Sequence, residues 1–159
     1  MANAVYLSTI GVHLKYAVES TAGTRPTAAS AFTDLVGIKS IPSLNPTPDN
    51  LETTTLNETE YKTYIPGLKD LGGALEFTFN LTEELITTWE NLMDAYEAGK
   101  LANKATWFCI VVPDLTKAFF FTGNPSEMGL PETEVNAVLE ITNYITPTNA
   151  PAKFDKPTT

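Results

Sequence analysis

Apolar and polar residues trade places along this chain with two different periods. Val12, Leu14, Tyr16 and Val18 alternate with His13, Lys15, Ala17 and Glu19, a period of two that predicts a half-buried strand within Val5–Glu19. The next stretch, "STAGTRPTAASAFTD", is small, polar and broken by Gly and Pro, and predicts a loop. Leu35–Ile41 is a short strand candidate interrupted at Gly37. Ala74–Phe79 is another strand, with Leu75, Phe77 and Phe79 on one face.

The period then changes. Leu81, Leu85, Trp89, Leu92 or Met93, and Tyr96 recur at spacings of three or four, while Glu90, Asn91, Asp94 and Glu97 fall elsewhere, which predicts an amphipathic helix over about residues 81–98. Asn80 followed by Glu83 reads as a capping box, and Glu83 and Glu84 suit the positive end of the helix dipole. Gly99 stands where a C-terminal cap is expected. A rod of about 27 Å, from roughly 18 residues at about 1.5 Å each, can cover one face or end of a sheet.

After the helix, Ala105–Val112 is apolar on both faces and predicts a buried central strand. Pro113–Thr116, "PDLT", is a tight turn, and Lys117–Thr122 returns as the partner strand of a hairpin. "GNPSEMGLPET" predicts a loop. Glu134–Tyr144 alternates again, with Val135, Ala137, Leu139 and Ile141 on one face. The last stretch, residues 146–159, has little to bury and reads as a tail that is ordered only when something holds it.

The middle of the chain fits neither period. "IPSLNPTPDNLETTTL" at Ile41–Leu56 carries three prolines within seven residues, and proline cannot donate to a central ladder. Leu51–Leu56 is β-prone through its threonines, Glu60–Ile65 alternates, and Pro66–Gly67 and Gly72–Gly73 punctuate the end. Residues 42–72 therefore predict an extended arm or loose hairpin. The sum is a single mainly-β domain, residues 1–159, of six to eight strands and one helix. Its loosely specified appendages are the N-terminus, the arm and the C-terminal tail.

Composition narrows the function. The chain has 159 residues, 18% of them charged, and a formal charge of −9. The low charge fraction points to a surface covered by partners, or simply to one rich in Thr and Asn. Gripping phosphates needs clustered cations, and Arg25 is the only arginine among ten scattered cations, so nucleic-acid binding is not expected. The lone Cys109 lies in "ATWFCIVV" and reads as a small buried hydrophobe. The N-terminus does not resemble a secretory signal, and no apolar run is long enough to span a bilayer; the expectation is synthesis in a cytoplasm.

Catalytic chemistry finds no foothold. His13 is the only histidine, it falls on a polar strand face, and a triad needs a nucleophile and an orienting group beside it. Nothing marks a pair of carboxylates facing across a cleft. No calcium loop, phosphate-cradling glycine loop or zinc ligand set is present. The reading is a non-enzyme without cofactor or metal.

The segments "GVHLKY" at Gly11–Tyr16, "GIKSIPSLNPTPDNLETTTL" at Gly37–Leu56 and "YIPGLKD" at Tyr64–Asp70 occur in that order ahead of strand, helix, apolar hairpin and last strand. In this the chain resembles the major tail tube proteins of long-tailed, non-contractile phages of Gram-positive bacteria. The resemblance implies a β-sandwich or partly closed barrel flanked by one helix. It also implies self-assembly into stacked, six-membered rings that form a hollow tail tube, made in the bacterial cytoplasm and ending in the virion tail. Expected partners are sister copies, the tape-measure protein, the tail terminator and the distal tail protein, with DNA passing through the lumen without specific binding and no membrane insertion.

On that view the arm reaches a neighbouring ring, and Leu44, Leu51, Leu56, Tyr61, Tyr64, Ile65 and Leu68 are candidate contacts. Proline stiffening lowers the cost of ordering such an arm. Excess negative charge in a lumen would repel DNA phosphates, with Glu76 and Glu140 as candidate lumen residues. Two other readings stay open: a monomeric β-sandwich recognition module, and the tube of a headless tail-like bacteriocin.

Overall fold

The alternation at residues 12–19 becomes a strand over His13–Val18 (β1), with Leu14 and Tyr16 in the core. The structure, a computed structural model, describes residues 6–158; the first five residues of the N-terminal appendage lie outside the described residues. A single 3₁₀ turn at Ala29–Ala31 precedes Thr33–Asp34 (β2) and Ile38–Ser40 (β3). Gly37 separates the two strands at φ +78°, and a Cβ there would stand 3.0 Å from the Asn80 carbonyl oxygen. That position needs both the left-handed backbone and the missing side chain.

The arm follows as Thr47–Glu52 (β4) and Tyr64–Asp70 (β5). Next come Leu75–Asn80 (β6), the helix Glu83–Leu101 (α1), Thr106–Val111 (β7) and Lys117–Pro125 (β8). Glu140–Pro147 (β9) and Ala152–Asp155 (β10) complete the chain. The main sheet runs β2-β1-β7-β8-β9-β6-β3, with β10 also pairing β8. β2 and β3, neighbours in sequence, sit at opposite ends of this path, so the sheet curls into a half-barrel with α1 against it. Fold class and flanking helix agree with the sequence reading.

The concave face holds the core: Leu14, Leu35, Phe77, Phe79, Phe108 and Ile145, closed by Leu85, Trp89 and Leu92 of α1. The Trp89 indole N–H donates to the Ser126 carbonyl at 3.0 Å. A second, smaller cluster of Cys109, Ala118 and Phe120 lies on the other face of β7 and β8 beneath Phe32. Central strands covered on both faces explain the unbroken apolar run at Ala105–Val112.

Several boundaries differ from expectation. The helix cap is Thr82, whose side chain accepts from the Leu85 N–H at 3.1 Å. Asn80 cannot serve, because it is still in the ladder opposite Glu140 and donates its N–H to Gly37. The helix also runs past Gly99 to Leu101. Its C-terminus closes at Asn103, φ +56°, with Lys104 N–H bonded to the Gly99 carbonyl and Asn103 N–H to that of Lys100, a Schellman arrangement.

β8 extends through Pro125 rather than yielding to a loop at Gly123. β9 begins only at Glu140, so Val135, Ala137 and Leu139 are exposed loop residues, not a buried face. The reason is topological: β6 ends at Asn80, where the chain turns into α1, and residues before Glu140 have no strand left to pair. The C-terminal stretch is not a loose tail. β8 is longer than the part β9 covers, and β10 pairs its remaining edge from Lys117 to Phe120.

Candidate assembly surface

The arm is a two-stranded ladder standing apart from the body. β4 and β5 pair from Thr47↔Asp70 to Glu52↔Tyr64, with a bulge between Pro48 and Asn50. Prolines are tolerated here because each strand has an unpaired outer edge, and Gly67 and the bulge absorb the remaining irregularity. Both strands therefore lie nearer the arm's root than the sequence placed them, across "TPDNLE" and "YIPGLKD" rather than Leu51–Leu56 and Glu60–Ile65. The existence of the hairpin matches expectation; the bounds of its strands do not.

Threonines take over where the ladder ends. Thr53 N–H donates to the Thr63 carbonyl at 2.8 Å, their hydroxyls meet at 2.9 Å, and Thr63 N–H reaches the Thr54 hydroxyl at 2.9 Å. At the tip, Glu58 accepts from the N–H groups of Thr59 and Glu60, each at 3.0 Å. Backbone donors, chiefly Glu60 and then Thr59 and Tyr61, hold its carboxyl below the usual carboxylate range. The arm is thus ordered by its own hydrogen bonds, although an isolated two-stranded hairpin is marginal in water.

Its apolar side chains have almost nothing to cover them. Leu51 and Ile65 are directly opposite in register and share a face. A Cβ on Gly67 would reach 3.4 Å from Leu51 Cγ, so glycine keeps that face open. Leu56 and Leu68 are 108% and 86% exposed, and Leu51, Tyr61, Tyr64 and Ile65 are all exposed. Leu44 differs from the other candidates: it is partly buried against the main core of its own chain, lining an apolar cleft of about 510 Å³ at the arm's root with Leu75, Ile110 and Phe121.

Register places the arm. It enters from β3 and leaves into Leu75, the first residue of β6, so it hangs from one end of the strands. His13 pairs with Val111 at that same end, and a Cβ on Gly11 would stand 3.1 Å from Pro113 Cγ. The described part of the N-terminal segment, with Tyr6 and Ile10 exposed, therefore projects from the same end as the arm.

Glu76 is exposed opposite Tyr144, on the face of β6 away from the core. Glu140 forms an ion pair with Lys39, a partnership the sequence did not suggest. His13 pairs with Asp34 at 2.9 Å on the surface. Among the described residues no group of three or more His, Cys, Asp or Glu could hold a metal, and no helix is long and apolar enough to cross a membrane. Sequence reading also missed Arg25, whose guanidinium packs on Phe120 and Phe154, and the apolar loop between β8 and β9.

No protein-family model matches the sequence, and no curated protein matches it. Solved structures do share the fold. A chain of the six-fold symmetrised baseplate of the anti-feeding prophage aligns with a TM-score of 0.63 at 12% identity, covering 98% of this chain and 97% of that one. A chain from the tail of an empty gene transfer agent particle, refined helically with C6 symmetry, aligns at 0.60 with 8% identity, covering 94% and 99%. The tube-terminating cap of the anti-feeding prophage gives 0.57 at 11% identity, covering 98% and 95%.

Proposed function

We propose that this chain is a tail tube subunit that assembles with its own copies into stacked, six-membered rings around a channel for DNA. The observation that carries the reading is the arm: an ordered hairpin with an uncovered apolar face, projecting from one end of a half-barrel. Its fold is shared with components of six-fold symmetric tail particles. An exposed hairpin of this kind gains its stability when a neighbour covers it, and an unpaired strand edge can also join a neighbouring sheet. Leu51, Leu56, Tyr61, Tyr64, Ile65 and Leu68 would supply the contacts between rings.

The face of β6 and β9 away from the core is the surface we assign to the channel. It presents Glu76, Thr142 and Tyr144 to solvent, whereas the same face of β7 and β8 is covered by Phe32 and Arg25. Glu76 would repel DNA phosphates; Glu140, paired with Lys39, would contribute less net charge. The tape-measure protein would fill the channel before DNA, with a terminator and a distal tail protein closing the ends.

Gel filtration followed by negative-stain microscopy of the purified protein tests the proposal. Rings or hollow filaments are the expected result. A monomer at every concentration, or a monomer that binds host glycans, would overturn it in favour of a recognition module.

A further inference from the structure

A cleft of about 210 Å³ opens where the C-terminal end of α1 meets the start of β7 and the end of β8. Tyr96 and Lys100 line it from the helix, Lys104 and Thr106 from the start of β7, and Asn124 from β8. Each of these side chains carries a hydrogen-bond donor. Thr148 closes one side, its hydroxyl 2.6 Å from that of Thr122. Among the described residues no carboxylate lines the cleft. In a chain of nineteen acidic and ten basic residues, two lysines on so small a surface without an acid concentrate positive charge.

The cleft also holds a polar group that the fold leaves unsatisfied. Thr106 is 3% exposed, and its hydroxyl has no hydrogen-bond partner in the protein. A buried hydroxyl left unpaired is costly, and a buried orphan of this kind points to an ion or water at the site. Valine has the same shape and would fit the apolar run "TWFCIV" without that cost. Lys100 alone is explained by the helix, because a cation in the last turn suits the macrodipole. Lys104 and Thr106 lie beyond the helix and are not. Lys104 is half-buried, its backbone tied to the Gly99 carbonyl at 2.8 Å, and neither lysine is in an ion pair among the described residues.

We propose that this cleft binds a small tetrahedral oxyanion of the class of inorganic phosphate. Donors from three elements surround a ligand rather than meet one edge of it, which suits a tetrahedral ion better than a planar carboxylate. Two ammonium groups offset its charge through bonds between ionised partners, the stronger kind, and the tyrosine, threonine and asparagine donors complete the shell. The volume admits one such ion with a few waters, at about 30 Å³ per water, and falls below the roughly 300–1,000 Å³ of pockets for larger ligands. The chain's charge of −9 repels a polyanionic strand, so the ligand is a free ion. The site stands independently of the tube reading, since the ion ties the helix end to two strands of the same chain.

Equilibrium dialysis of the purified protein against radiolabelled inorganic phosphate, in chloride buffer of constant ionic strength, should show saturable binding of one ion per chain. Lys100→Gln and Lys104→Gln should each weaken it by about tenfold, the loss expected for one charge-assisted bond. Thr106→Val separates a ligand from a defect of folding. Without phosphate it should melt at or above the wild-type temperature, because the unpaired hydroxyl is gone; with saturating phosphate it should melt below the wild type. General stabilisation by phosphate acts on both proteins and cancels in that comparison. A duplex oligonucleotide at the same phosphate concentration should leave the bound ion in place. The inference is overturned by the absence of saturable binding, by lysine variants that bind as the wild type does, by a Thr106→Val protein that gains as much from phosphate, or by displacement of the ion by the duplex.

Discussion

The guanidinium carbon of Arg25 sits 4.1 Å from the ring centre of Phe154, and 4.7 Å from that of Phe120 on the neighbouring strand. The only arginine in the chain thus pins the C-terminal strand to the middle of the sheet, where Phe154 also meets Phe120 edge to face at 5.8 Å. A cation over an aromatic face is worth about 0.5–2 kcal/mol, with the upper end for desolvated sites. Arg25→Ala should lower the melting temperature by about 2–6 °C on that basis and speed amide exchange at Lys153–Asp155. Unchanged exchange there would show that β10 is held by its ladder alone.

Gly99 illustrates a different constraint. It lies inside α1, where alanine is intrinsically favoured by about 1 kcal/mol, yet a Cβ would stand 2.8 Å from Val18 Cγ1 and 3.2 Å from the Lys104 carbonyl oxygen. Valine has few rotamers to escape into, and the Lys104 backbone is tied to the Gly99 carbonyl at 2.8 Å. Gly99→Ala should therefore destabilise by about 1–3 kcal/mol, the usual range for overpacking. Adding Val18→Ala should recover part of the loss, and a chemical denaturation series on the four proteins of that cycle decides it.

Cys109 provides a pH-dependent readout. Burial pushes its thiol up to about 11, against smaller opposing effects of Lys15 and Arg25. The folded value lies above the ordinary thiol value of about 8.5, so the folded state favours the neutral thiol. That contribution is complete below about pH 8.5 and is lost as pH rises towards 11. Iodoacetamide should fail to label the native protein at neutral pH and label it fully in denaturant. Between pH 8.5 and 11 the wild type should lose more stability than Cys109→Ala; equal slopes would remove Cys109 as the cause.

How much of this was legible beforehand depends on what each residue's environment is made of. Leu14 and Tyr16, Phe77 and Phe79, and Leu85, Trp89 and Leu92 are buried as their periods require, because burial against a core is what writes a period into a sequence. Val135 and Leu139 carry the same period-two signal without a ladder to join, since their would-be partner strand ends at Asn80. Pro48 and Pro66 argued against strands, but an arm with open edges does not impose the rule that a central sheet does. β10 was hidden because its reason to form lies in an unpaired stretch of β8, distant in sequence. Of the contact candidates, Leu44 looked equivalent to Leu51 in sequence, and only the three-dimensional path of the linker separates a residue partly buried against the core from an exposed one.

The arm's independence from the body leads to a separable test. Its residues from Thr47 to Asp70 are exposed apart from partly covered Thr54 and Gly67, and its hydrogen bonds close on themselves, whereas the body's core draws on β1, β6 to β9 and α1. Deleting Thr47–Asp70 and bridging the gap with a short glycine-serine linker should leave the melting temperature of the body within about 2 °C, since little apolar burial is removed. The root residues Pro42–Asn45 stay, because Leu44 packs against the core. The same deletion should abolish long tubes in negative stain, because the apolar face that a neighbour would cover is gone. Substituting only Leu51, Ile65 and Leu68 by serine should give the same outcome with the hairpin still present, which separates loss of contact from loss of the segment. Long tubes from either variant would mean that stacking is driven by other surfaces, and that the arm's order serves something else.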